Sequence, residues 1–133
     1  MAKLRHIALS VKDLEASAKF YEEAFEMKRV RQSDVAVILS DGVVALALLD
    51  LHANDNAPDD RGPDFIGIHH IGFLVDEMDA ACAAVEQAGG AYHGQVKNVG
   101  AGPKYERKYR DPNGVVIDVA TKEHARSSWK LPV

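Results

Sequence analysis

The chain has 133 residues, of which 47% are hydrophobic and 27% charged, and its formal net charge is -4. That length carries one sizeable core, and the acidic balance excludes a nucleic-acid binder that works by neutralising phosphates with a basic excess. The single cysteine, Cys82, excludes an internal disulfide framework; with no apolar leader at the N-terminus and no apolar run of about 18 residues, the expectation is a cytoplasmic protein.

Residues 3–11 alternate. Ile7, Leu9 and Val11 fall on one face and His6, Ala8 and Ser10 on the other, the period of a strand with one apolar side. Asp13 is placed to cap a helix over about 14–25, whose stripe of Leu14, Ala18, Tyr21 and Phe25 can cover the strand's apolar face. Strands follow at 27–31, 35–39 and 43–51, with Asp41-Gly42 as the hairpin turn between the last two. The stretch 52–64, rich in Asp, Asn and Pro, reads as an acidic linker.

The second half repeats the plan. Residues 68–75 form a strand with Ile71, Phe73 and Val75 opposite His70, Gly72 and Leu74; 78–88 form a helix striped by Met78, Cys82 and Val85 and stopped at Gly89-Gly90. Cys82 reads as a small buried hydrophobe of that helix. Strands follow at 92–97 and 105–110, then a tight turn at 111–114 and a last strand at 115–120. A mixed tail, 122–133, carries the sole tryptophan, Trp129, an anchor either on this chain or on a neighbour.

Sliding the chain by 64 positions puts His6 on His70, Ile7 on Ile71, Val11 on Val75 and Glu22 on Glu86. Two copies make a two-fold pseudosymmetric α+β domain rather than a solenoid. Module one is 3–51 and module two 65–121. His6, His70 and Asp118 each lie mid-strand on the face opposite the Ile/Leu/Val/Phe surface. A buried carboxylate needs a partner. An Asp–His or Asp–Arg pair would supply one. So would a divalent ion, since two imidazoles and a carboxylate are the donor set of a facial site for iron, manganese, nickel or zinc. Tyr105, Arg107 and Tyr109 share one face of their strand, and with His93 they are candidates to line a pocket. Arg107 tips that choice, because Arg packs poorly under an alanine-rich helix. His69 points away from His70 and reads as partly exposed, and His52 as a bland linker-edge residue.

The run His6-Ile7-x-Leu9-x-Val11-x-Asp13-Leu14 with Phe20-Tyr21, the run His70-Ile71-Gly72-Phe73-x-Val75-Asp76, and Arg110-Asp111-Pro112-Asn113-Gly114-x-x-x-Asp118 together resemble the vicinal oxygen chelate superfamily. That group includes glyoxalase I, bleomycin resistance proteins, fosfomycin resistance enzymes and extradiol dioxygenases. The resemblance spans about 3–121. It implies two βαβββ modules forming an open, barrel-like sheet around a cleft, with metal ligands from the first and last strand of each module: His6, His70 and Asp118. The fourth place falls on Leu46 when Gly42 is aligned with Gly114, or on Ala47 or Leu48 after a slip, and none of these binds metal. Asp118 stands where the family usually has Glu, one methylene longer.

The missing fourth ligand argues against a glyoxalase I mechanism and towards three-ligand members. The resemblance therefore implies a small metal-dependent enzyme, glyoxalase-like or dioxygenase-like, that holds two adjacent oxygens of a small oxygen-rich substrate on the ion, in a homodimer. The alternative is a metal-free protein that sequesters a ligand, of the bleomycin-resistance type.

Overall fold

The computed structural model describes residues 1–52, 61–94 and 105–133. The linker residues 53–60 and the stretch 95–104, on which the second half of an expected strand and the glycine loop fall, lie outside the described residues. Module one runs β1 (Lys3–Ser10), α1 (Leu14–Phe25), β2 (Lys28–Gln32), β3 (Ala36–Ser40) and β4 (Ala45–Leu49). Module two runs β5 (Gly67–Leu74), α2 (Met78–Gln87), β6 (Ala91–Gly94), β7 (Glu106–Arg110) and β8 (Val116–Ala120). A short helix the sequence did not announce, α3 (Lys122–Ser127), closes the chain.

Both long helices start where side-chain acceptors meet orphan amides. Asp13 Oδ1 accepts from Ala16 N at 2.9 Å, and Glu77 accepts from Asp79 N and Ala80 N. Helix α1 ends at Glu26 in the left-handed region, φ 57°. The turn after β3 is fixed by Asp41 Oδ1, which accepts from Val43 N and Val44 N.

All eight strands form one mixed sheet in the order β2-β3-β4-β1-β5-β8-β7-β6. Within each module the first and last strands pair parallel, β1 with β4 and β5 with β8. The modules join within one chain through β1 and β5, antiparallel. The pseudo-two-fold axis is visible in that register. Ile7 and Ile71, equivalent by the 64-residue repeat, are paired with each other. On either side of them His6 faces Gly72 and Ala8 faces His70. The two histidines are thus diagonal neighbours on one face of the sheet, and symmetry together with the two-residue side-chain period requires it.

Two apolar clusters lie on the opposite face. Val37, Leu39 and Leu48 pack with Ala18 of α1; Val75, Tyr109 and Val119 pack with Met78 and Cys82 of α2. Phe25 does not join the α1 stripe and is 66% exposed.

The third cluster occupies the cleft face. Ala8, Ile38, Ala45, Ala47, Leu49, Leu74 and Ala120 pack against Ala125, Trp129 and Leu131 of the tail. Small side chains on the strands make room, and the tail supplies the bulk that fills it. No helix among the described residues is long and apolar enough to cross a membrane.

Candidate metal centre

Strand alternation turns His6 of β1, His70 of β5 and Asp118 of β8 into the cleft, where they are 4%, 7% and 1% exposed. Their ligand-capable atoms lie within 4.8 Å of one another. His6 Nε2 is 3.1 Å from His70 Nε2, His70 Nε2 is 3.1 Å from Asp118 Oδ2, and His6 Nε2 is 3.9 Å from Asp118 Oδ2. A triangle with sides of 3.1, 3.1 and 3.9 Å has a circumradius of about 2.0 Å, the ordinary distance from a first-row divalent ion to nitrogen and carboxylate oxygen. The residues present fit such an ion, which His6 Nε2, His70 Nε2 and Asp118 Oδ2 would hold.

The second oxygen of Asp118 is engaged. Its Oδ1 accepts from Lys108 Nζ at 2.5 Å, and Lys108, 7% exposed, sits on β7 directly across the ladder from Asp118. Lys108 Nζ also lies 4.0 Å from Glu106 Oε1, and Glu106 Oε2 lies 2.8 Å from His124 Nε2 on α3. A buried chain of polar contacts thus links the centre to the C-terminal helix. Lys108 is held above the usual lysine value: burial pulls it down, but Asp118 and Glu106 outweigh that. Burial would raise Asp118, yet His70 and Lys108 hold its carboxyl well below the usual range. His6 is pushed down to about 3 by burial and then by His70, so its imidazole is neutral and available as a donor over the whole physiological range.

The two imidazoles are oriented differently. His70 Nδ1 lies 2.7 Å from Nδ1 of His69, so its ring is fixed by a hydrogen bond, as ligating histidines generally are. His69 is buried at 8% exposure, not partly exposed as its place on the strand suggested. The β1–β5 register shift between Ala8 and Leu9 occurs beside it. His6 Nδ1 has no hydrogen-bond partner among the described residues. Its ring is instead held by Trp129, stacked at 4.7 Å between centroids with 9° between planes.

The expected pocket lining is corrected. Lys108, not Arg107, pairs with Asp118, so β7 presents Glu106, Lys108 and Arg110 to the cleft and turns Arg107 and Tyr109 towards α2. Arg107 bonds Asp79 of α2 at 3.0 Å, and Tyr109 sits in the α2 cluster with its hydroxyl 3.0 Å from Glu86 Oε1. Tyr105 is half-buried, and its carbonyl accepts from Thr121 N. His93 Nδ1 accepts from Arg110 Nε at 3.2 Å, on the β6 edge. His52 stays exposed, 2.7 Å from Asp64 Oδ1.

The fourth place is also corrected. Gly72 pairs with Asp118 in module two, and its equivalent Ala8 pairs with Ala47 in module one. Ala47, and not Leu46, therefore occupies the fourth position. Leu46 belongs to the helix-side cluster.

The sequence pattern of the Glyoxalase/Bleomycin resistance protein/Dioxygenase superfamily matches residues 3–119. A lactoylglutathione lyase of Schizosaccharomyces pombe is 33% identical over 112 residues, 65% of this chain; the chain spans 37% of that protein's length. The fold is shared with a methylmalonyl-CoA epimerase of Streptomyces coelicolor (TM-score 0.65, 23% identity, 90% of this chain and 93% of that one). It is shared too with a Mn(II)-bound glyoxalase of Novosphingobium aromaticivorans (TM-score 0.66, 20% identity, 91% of this chain and 40% of that one).

Proposed function

We propose, from the premise that the chain belongs to the Glyoxalase/Bleomycin resistance protein/Dioxygenase superfamily, that it is a divalent-metal-dependent enzyme acting on a small molecule with two adjacent oxygens. His6, His70 and Asp118 would hold the ion. The observation that carries this reading is the donor triangle, whose three atoms are equidistant from a point at metal-bond length. When bound, the ion would act as a Lewis acid for charge developing on substrate oxygen. The chain's own part is to keep the His6 imidazole neutral, to hold Asp118 by one oxygen through Lys108, and to surround the centre with buried groups that keep water out.

Ala47 at the fourth place means that this strand position of module one offers no carboxylate to the centre. The related proteins define the first assays. Chelated protein reconstituted with manganese, iron, nickel or zinc is tested on lactoylglutathione and on methylmalonyl-CoA. Turnover that needs an ion and is lost in His70→Ala supports the reading. Protein that neither binds an ion nor gains thermal stability from one contradicts it.

A second reading rests on the Lys108–Asp118 pair, which gives the carboxylate a counter-ion without any metal. In that case the cleft sequesters a ligand, and His70→Ala would leave ligand affinity intact. All three donors come from one chain, so neither reading needs a partner subunit; the homodimer that the resemblance implies is checked by sedimentation.

A further inference from the structure

We infer that Trp129 is the specificity-determining wall of this centre, restricting it to small chelating substrates; the inference rests on the metal reading above. One row across the sheet carries two of the donors. His6 of β1 pairs with Gly72 of β5, and Gly72 pairs with Asp118 of β8. Two of the three donors therefore flank a glycine, and that glycine is where the indole lies. A Cβ built on Gly72 would come within 2.9 Å of Trp129 Cζ2, 3.0 Å of Cη2 and 2.9 Å of His6 Cβ. The space between His6 and Asp118 on this side of the ligand triangle is thus taken by Trp129, which is only 3% exposed.

The indole is not loosely placed. It stacks flat on the His6 ring, meets His124 edge-on at 5.4 Å, and belongs to the cluster that includes Leu131 and Ala125. Leu131 N donates to Ala125 O at 3.0 Å, and Arg31 Nη1 reaches Ser128 O at 3.2 Å. On the module-one strands beneath, the cleft residues include Ala8, Ala45 and Ala47, whose small size leaves room for the tail, beside Ile38 and Leu49. The C-terminal residues Ala125, Trp129 and Leu131 thus occupy the cleft face beside the donors. On the Trp129 side the way to the centre is blocked, and any bulky substituent directed at Gly72 meets the indole.

Hydroxamates provide the test, because they present two adjacent oxygens on a variable group. The metal-loaded protein is titrated with acetohydroxamate and with benzohydroxamate, in the wild type and in Trp129→Ala. The expected result is a rise of about tenfold in the benzohydroxamate-to-acetohydroxamate affinity ratio in the variant. A ratio that stays within about twofold of the wild type overturns the inference. Trp129→Leu, which keeps apolar bulk in the tail cluster, serves if the alanine variant does not fold, and the ratio should rise there too.

The sole tryptophan gives a second readout. Acetohydroxamate binding to the wild type should leave Trp129 as inaccessible to acrylamide quenching as before. A ligand-induced gain in quenching would mean that the tail is displaced rather than serving as a wall, and would overturn the inference. Failure of the wild type to take up any ion overturns the metal reading and this inference with it, whereas uptake with an unchanged ratio removes this inference alone.

Discussion

Lys108 and Asp118 stand opposite each other on β7 and β8, and one carboxylate oxygen takes the ammonium at 2.5 Å while the other faces His70 Nε2 at 3.1 Å. The lysine holds Oδ1 and so fixes the carboxylate plane, leaving Oδ2 turned to the imidazoles.

Lys108→Met strands a buried carboxylate. Removing one partner of a buried pair costs about 3–5 kcal/mol, and urea unfolding in the presence of chelator should show a loss of that order. The acid limb shifts as well. Asp118 has its folded-state pKa below the unfolded one, so its contribution is complete above the unfolded value of about 3.9 and is lost as pH falls towards the folded value. The variant should lose the share of that contribution that Lys108 supplies and keep the share that His70 supplies. An unchanged unfolding midpoint would show that the pair carries no net stability.

His70→Ala and Asp118→Asn each remove one corner of the donor triangle. Second-shell changes alone typically cost 10–100-fold in metal affinity, so each of these should cost roughly 100-fold or more, read by competition with a fluorescent chelator.

Gly72→Ala pushes a methyl group into His6 Cβ and the Trp129 ring at once. Overpacking of this kind costs about 1–3 kcal/mol, so a lower melting temperature is expected. Because His6 Nδ1 has no hydrogen-bond partner among the described residues to hold its ring, metal affinity should fall as well, which separates this site from a merely crowded core position.

Arg107→Ala and Tyr109→Phe test the strand parity from the other direction. Both side chains face α2. Metal affinity should stay within about twofold of the wild type, and Tyr109→Phe should cost on the order of 1 kcal/mol for its hydroxyl bond. A large loss of metal affinity in either would contradict the β7 orientation.

The triad was legible because it depends on little. A two-residue period and a 64-residue repeat place His6 and His70 on one face of paired strands, whatever the loops do. The β7 residues depended on register. Arg110 pairs with Val116 and Lys108 with Asp118, and counting back from the 111–115 turn would have found Lys108; judging Arg107 by its chemistry did not, because Asp79 at the start of α2 gives that guanidinium a partner. The error at the fourth place has a similar cause. Ser40 pairs with Ala45 across four residues, whereas Arg110 pairs with Val116 across five. Aligning the turn glycines therefore slips the strands by one residue, from Ala47 to Leu46. The six residues of α3 are too few to show a helical period, so the tail's seat in the cleft had no sequence signal beyond the lone Trp129.

The most direct measurement is equilibrium dialysis of the chelated chain against manganese, iron, nickel and zinc in turn, followed by elemental analysis. The account predicts one equivalent of at least one of these ions per chain in the wild type and none retained by His70→Ala. Equal metal content in both proteins, or none in either, would contradict it.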